Sequence, residues 1–328
     1  MTASAAHSIL PPLTPDEARH SRAAAELIRD RVSAAGGWLS FERFVELALY
    51  APGVGYYSAG SVKLGKSGDF VTAPEVSDLF SRCVARQCAD VLARTGGSIY
   101  ELGAGTGRMA ATILESLEDM GSLPERYAIL EVSADLAERQ RLYIERLPSD
   151  LRARVVWLDR LPTEAARGVV LANEVLDALP FRRFVVRDGV PHELGVSLAG
   201  DIFVWQERAW ENGLSLDLPR ALPDGYVSET CPRVFPWIAG ISQFLESGAL
   251  LLFDYGLPRS HYYHPQRTDG TLRCYFKHRA HDDPFINIAV QDITAWVDFT
   301  RVAEAAVAAG LEVSGFATQA AFLIGAGI

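Results

Sequence analysis

Ile99-Tyr100-Glu101-Leu102-Gly103-Ala104-Gly105-Thr106-Gly107-Arg108 reads as the turn of a nucleotide-binding α/β unit. The bulky run from Ser98 to Leu102 has the length of a buried parallel strand, three glycines follow at alternate positions, and Met109 to Leu117 continues as a helix. Glycine permits the tight positive-φ bend, leaves room for a ligand against the backbone, and bares the amides that open the helix. The spacing separates two ligand classes. A dinucleotide fingerprint is G-x-G-x-x-G with the helix N-terminus facing a pyrophosphate, whereas Gly103, Gly105 and Gly107 form G-x-G-x-G behind the acid Glu101. A carboxylate there repels pyrophosphate and attracts an ammonium group, so the turn suits S-adenosylmethionine, cationic at its methionine end and uncharged at its nucleoside. Glycines serving only a strand-to-helix turn remain the alternative on this motif alone.

The other strands of such a fold follow in order. Tyr127 to Val132 is a second apolar run, and Glu131, 24 residues after Gly107, stands where an acid takes both ribose hydroxyls. Val155 to Leu158 is a third strand, with Asp159 just beyond it as an acceptor for the adenine amino group or as an ordinary turn aspartate. Val169 to Ala172 is the fourth, followed by Asn173-Glu174-Val175-Leu176-Asp177-Ala178-Leu179-Pro180. Ligands bind beyond the carboxyl ends of parallel strands, which makes Asn173, Glu174 and Asp177 the leading chemical candidates. Ala249 to Phe253 is the fifth strand, ending at Asp254-Tyr255-Gly256, and Leu311 to Thr318 reads as a sixth.

Around this sheet the pattern changes. Residues 1–14 read as a mobile arm. Pro15 to Ala35 and a Ser40-capped segment through Leu49 are amphipathic helices, which with the following loop and helix make a helical cover over 15–95. The α/β unit occupies 96–328. Gly55 to Glu75 is a long glycine-rich loop without a P-loop pattern. Residues 183–230 switch to period two with Asp188-Gly189 as a hairpin turn, an antiparallel insertion. A second long loop, about 257–290, carries four of the seven histidines and alternates Arg259, Arg267, Arg273, Lys277 and Arg279 with aromatics. Its His pairs at i, i+3 are weak metal signals, and no metal is expected. Its basic and aromatic character also permits single-stranded RNA.

The chain has 328 residues, 49% of them hydrophobic and 22% charged, with a net charge of −10. It is long enough for a large core and disfavours a general polyanion-binding surface. No apolar run reaches membrane-spanning length, and four cysteines without a C-x-x-C pair read as reduced thiols.

Five motifs in order, Gly37 to Tyr57, Gly68 to Glu75, Glu101 to Gly107, Asn173 to Pro180 and Gly270 to Tyr275, resemble the MidA family of S-adenosylmethionine-dependent methyltransferases, whose mitochondrial members assist assembly of respiratory complex I. The resemblance implies a class I, Rossmann-like methyltransferase fold and symmetric ω-dimethylation of a protein arginine, a complex I subunit by similarity to those members. It also implies a C-terminal tail after Ile328 that supplies a last antiparallel strand, without which marginal solubility is expected. The expected cofactor is S-adenosyl-L-methionine, held by Glu101, Gly103, Gly105, Gly107, Glu131, Asp159, Asn173 and Thr72. Glu174 and Asp177, completed by Asp69, are expected to clamp the substrate guanidinium. Phe70 and Tyr255 would face it, with Arg273 and His278 also on the substrate. The expected partner is a protein with an exposed arginine, not a membrane or nucleic acid, with a homodimer left open. The expected setting is bacterial cytoplasm, or the mitochondrial matrix of a eukaryote, although no transit peptide is evident. A small-molecule or RNA methyltransferase and a cofactor-binding assembly chaperone are the competing readings.

Overall fold

A computed structural model describes residues 10–58, 73–210, 218 and 222–328. Helix α1 (Pro15–Ala34) begins with a capping box in which Thr14 Oγ1 accepts from the Glu17 amide at 3.2 Å and the Thr14 amide donates to the Glu17 carboxylate at 2.6 Å. A two-residue strand β1 (Leu39–Ser40) leads into α2 (Phe41–Tyr50), whose first turn is capped by Ser40 accepting from Arg43. Phe41, Phe44, Val45, Ala48 and Leu49 are fully buried, the apolar face that the spacing predicts. They pack with Phe181, Val196 and Phe203 rather than with the parallel sheet.

That sheet is built from β2 (Ser98–Leu102), β3 (Tyr127–Leu130), β4 (Val155–Leu158), β5 (Ala166–Asn173) and β10 (Leu245–Phe253), in the order β10-β5-β2-β3-β4 and parallel throughout. The five strands are those the apolar runs predict. Val169, Val170 and Leu171 are all inaccessible to solvent, because helices cover both faces. Fully burying each such side chain contributes about 1.5–3 kcal/mol. One face carries α4 (Asp78–Thr95) and α5 (Arg108–Asp119), and the other α8 (Val234–Phe244), whose Ile241 and Phe244 pack on Leu102, Val170 and Ala172. At the opposite end from the glycine turn, Ser98, Gly168 and Gly248 lie in register across three strands. A Cβ on Gly168 would sit 2.0 Å from the Ser98 carbonyl oxygen, and one on Gly248 1.8 Å from that of Gly168.

The insertion forms its own antiparallel sheet. Strands β6 (Arg182–Arg187), β7 (Val190–Ala199), β8 (Ile202–Ala209) and β9 (Val227–Thr230) join β1, which pairs with β7. Asp188 and Gly189 both have positive φ, 49° and 77°, as a tight hairpin turn requires. Glu42 of α2 binds Arg182 of β6 at 3.1 Å and Arg233 beside α8 at 2.6 Å, tying helix, insertion and main sheet together.

Two expectations are corrected. The region read as a long loop contains the short sheet β13-β12-β14, formed by β12 (Arg273–Phe276), β13 (Arg279–His281) and β14 (Asp292–Thr294). Strands of three or four residues are too short to give a readable alternation. Leu311 to Thr318 is not a strand: it leaves the sheet, Phe316 packs on Phe299, and the chain turns into α11 (Gln319–Gly325), where Phe322 packs on Phe253. Propensity alone does not make a strand: among the described residues the segment does not pair with β10, which stays at the edge of the sheet.

Candidate active site

Strand order reverses beside β2, with β3 and β4 on one side and β5 and β10 on the other. The carboxyl ends of β2 and β5 therefore diverge into a crevice, and a cleft of about 840 Å³ opens there. Glu101, Gly103, Gly105, Glu131, Asn173 and Glu174 all line it, with Tyr50 and Tyr57 forming part of another wall. Gly103, Gly105 and Gly107 have φ of 70°, 56° and 85°. Side chains at the first and last would also crowd Val175 and Gln140 at 3.1 Å. Gly107 caps α5.

Two acids face this turn in different surroundings. Glu101 is buried and accepts from the Tyr127 hydroxyl at 2.7 Å. Burial pushes its carboxyl up to about 7, the Tyr127 bond opposes this, and the charge on Glu131 adds to it. Glu131 is half-buried; its Oε1 accepts from the Ser133 amide and its Oε2 from the Gln140 side-chain amide, both at 2.9 Å. A buried acid able to meet an ammonium group, an oriented carboxylate able to meet a cis-diol, and a backbone cradle between them fit S-adenosylmethionine. The turn is braced from outside. The Thr106 hydroxyl donates to the Glu75 carboxylate, and Arg108 donates to the Glu75 carbonyl at 2.8 Å and to Asp78 at 2.9 Å.

Beyond β5 the wall becomes acidic. Glu174 has a left-handed backbone, φ 52°, fixed by its amide donating to the Phe253 carbonyl at 2.9 Å. Asp254 accepts from the amides of Leu176, Asp177 and Tyr255 at 2.9, 3.2 and 2.8 Å, so the end of β10 pins the Glu174 turn. Burial nevertheless raises the Asp254 carboxyl to about 6. Asp177 lies behind Glu174 and lines a smaller internal cavity with Glu229, Trp296 and Arg301. Among the described residues its sealed Oδ1 accepts no hydrogen bond. Burial, then the charges of Asp254, Asp292 and Glu174, raise its carboxyl far above the usual range. Asp292 is buried and accepts from Tyr57 at 3.1 Å, and Tyr57 stacks on Tyr50. Tyr255 is 57% exposed; burial of the remainder and the charges of Glu174 and Asp177 raise its hydroxyl to about 12.

Six described sequence candidates are absent from the cleft lining, Gly107, Asp177 and Tyr255 as well as Asp159, Arg273 and His278. Asp159 is exposed past β4, while Arg273 is exposed on β12, donating to Asp282 at 2.8 Å. His278 is exposed in the β12–β13 turn with φ 61°. Asp69, Phe70 and Thr72 fall outside the described residues. Sequence reasoning missed Tyr50, Tyr57, Gln140 and Asp292. Tyr50 and Tyr57 fall on the apolar helix and its exit, Gln140 on a helix of polar pattern, and Asp292 on a strand too short to read.

Fold, glycine turn and paired acids together define a class I S-adenosylmethionine-dependent methyltransferase. A family model of S-adenosyl-L-methionine-dependent methyltransferases matches residues 83–317, and the chain belongs to this family, the MidA methyltransferases. S-adenosyl-L-methionine is its cofactor. It is 28% identical over 311 residues to the mouse mitochondrial protein arginine methyltransferase NDUFAF7, covering 83% of this chain and 68% of that one. The human protein of that name is also 28% identical, over 312 residues, with 83% and 67% covered. A Burkholderia thailandensis protein crystallised with S-adenosyl-homocysteine superposes with a TM-score of 0.92 at 41% identity, over 97% of this chain and 84% of that one.

Proposed function

We propose that the chain is a protein arginine N-methyltransferase that carries out symmetric ω-dimethylation, the outcome the family resemblance implies. The observation that carries the reading is Glu174 in a cleft lined by Tyr50 and Tyr57, backed by the charge of Asp177 and by Asp292, the buried acceptor of Tyr57. Carboxyls crowded enough to raise one another's proton affinity form a site that gains from a cation, and a guanidinium offers planar donors as well as charge. The relatives named as arginine methyltransferases support the same substrate class.

S-adenosylmethionine supplies an electrophilic methyl group on a sulfonium. The protein's part is to align the nucleophile with it and exclude water. Glu101 would hold the cofactor ammonium and Glu131 the ribose. Glu174 would fix one edge of the guanidinium, concentrating its positive charge away from the attacking nitrogen. Asp177 would complete the clamp as the carboxylate that a guanidinium cation beside it favours. Asp69 and Phe70 belong to the same proposed pocket, with Tyr255 over the guanidinium face. A complex I subunit is the proposed substrate, and the compartment follows the host: cytoplasm in a bacterium, mitochondria as in the named relatives.

Incubation with methyl-labelled S-adenosylmethionine and an extract lacking the enzyme tests this. Label on one protein, mapped to arginine, supports the reading. Label confined to RNA or small molecules overturns it. Cofactor binding without labelling of any acceptor moves the reading to an assembly chaperone. Glu174→Gln should keep S-adenosylhomocysteine affinity within about threefold yet lower kcat about 100-fold, the scale of one charged hydrogen bond made at the reacting group.

A further inference from the structure

Gln140 is fully buried in α6 (Ala134–Ile144), and every polar atom of its side chain is engaged. Its Nε2 donates to the Gly105 carbonyl at 3.1 Å and to Glu131 Oε2 at 2.9 Å, while its Oε1 accepts from Trp157 Nε1 at 3.0 Å. The orientation of the amide is forced. An indole N–H can only donate, so the atom facing Trp157 must be the oxygen, and the amine then faces the two acceptors. One side chain thereby joins the glycine turn after β2, the acid after β3 and the strand β4. The backbone is close as well, since a Cβ on Gly107 would meet Gln140 Cα at 3.1 Å.

We propose that Gln140 is a positioning residue that gives the cleft its preference for a nucleoside with an intact cis-diol. The Ser133 amide holds one oxygen of Glu131 and Gln140 holds the other. Held on both oxygens, the carboxylate has a fixed plane, as two-point contact with a vicinal diol requires. Without Gln140 the carboxylate loses one of these two anchors and turns more readily about its terminal torsion, which is soft for a glutamate. The same amide fixes the Gly105 carbonyl, so the acid and the turn keep their spacing. The proposal rests on the reading in which Glu131 takes the ribose.

Calorimetry of S-adenosylhomocysteine and its 2′-deoxy analogue, on wild-type protein, Glu131→Gln, Gln140→Glu and Gln140→Leu, tests it without turnover. Wild type should prefer the intact ribose by on the order of ten- to a hundredfold, the range of one hydrogen bond to a charged group. Glu131→Gln should reduce that ratio to below about threefold. Gln140→Leu keeps the bulk but cannot donate to Glu131, and it should reduce the ratio equally; Gln140→Glu donates only while its carboxyl is protonated, so its ratio should fall as pH rises. A merely structural role would weaken both ligands together and leave the ratio unchanged, which would overturn the proposal. Equal affinities in wild type would instead remove the ribose reading of Glu131, and the proposal with it. If neither Gln140 variant folds, the side-chain amide of selectively 15N-labelled wild type decides: slow hydrogen exchange supports the clamp, and fast exchange overturns it.

Discussion

Glu101 puts a price on an empty cleft that can be measured as a function of pH. Its carboxyl lies at about 7 in the fold against an ordinary 4.5, so the native protein keeps a proton that the unfolded chain releases between those values. The stability this provides is whole below about pH 4.5 and is lost as pH rises through 7, about 3 kcal/mol for a shift of that size. Asp254 and Asp177 are raised too and add slope of the same sign. Denaturant titrations of the ligand-free protein from pH 5 to pH 8 should therefore show falling stability, with a shallower fall in Glu101→Gln. Ligand affinity should move the other way. An ammonium group needs the carboxylate, so S-adenosylhomocysteine should bind more weakly below pH 7, by up to about tenfold per unit, and Glu101→Gln should bind weakly at every pH. The residue type and place of Glu101 are legible in the sequence; its proton affinity is not, because that depends on burial and on Tyr127, 26 positions away.

At the scale of elements, the glycine turn was readable because three glycines in five positions are a local signal. Gly107→Ala should cost about 1–2 kcal/mol in thermal or urea unfolding, since the αL conformation at the helix cap disfavours any Cβ and Gln140 leaves little room. The parallel strands were readable for the same local reason: each is a short, continuous apolar run. What the sequence hid is the wall opposite the turn. Tyr57 reaches Asp292 across 235 positions, and Tyr50 donates to the Ala178 carbonyl across 128, contacts that only the completed packing creates. Leu311 to Thr318 failed as a strand for the complementary reason. Its apolar residues fit the pattern, but a ladder needs the segment to lie along an edge, and this one packs Phe316 on Phe299 instead of pairing with β10. Amides along β10 should accordingly exchange with period two, slow where they donate to β5 and fast on the open side.

Across the whole molecule, the antiparallel insertion and the parallel sheet meet through charge as well as apolar contact. Glu42 serves Arg182 and Arg233 at once, and Glu46 adds a 3.2 Å bridge to Arg233. Glu42→Gln should lower stability by about 1 kcal/mol, since Arg182 and Arg233 keep only their longer contacts to Glu193 and Glu46, read as a drop in the urea midpoint at neutral pH. The row of Ser98, Gly168 and Gly248 has a different kind of reach. No side chain fits at either glycine without parting the strands, so the sheet's spacing there is set by backbone against backbone. A saturation scan of the chain should then show two separate bands of intolerance, one around the cleft and one at the far end of the same strands. Only substitutions in the first should spare expression while abolishing catalysis. Variants in the second should disappear from the soluble fraction, so a map of mutational sensitivity would point to two sites where the protein has one.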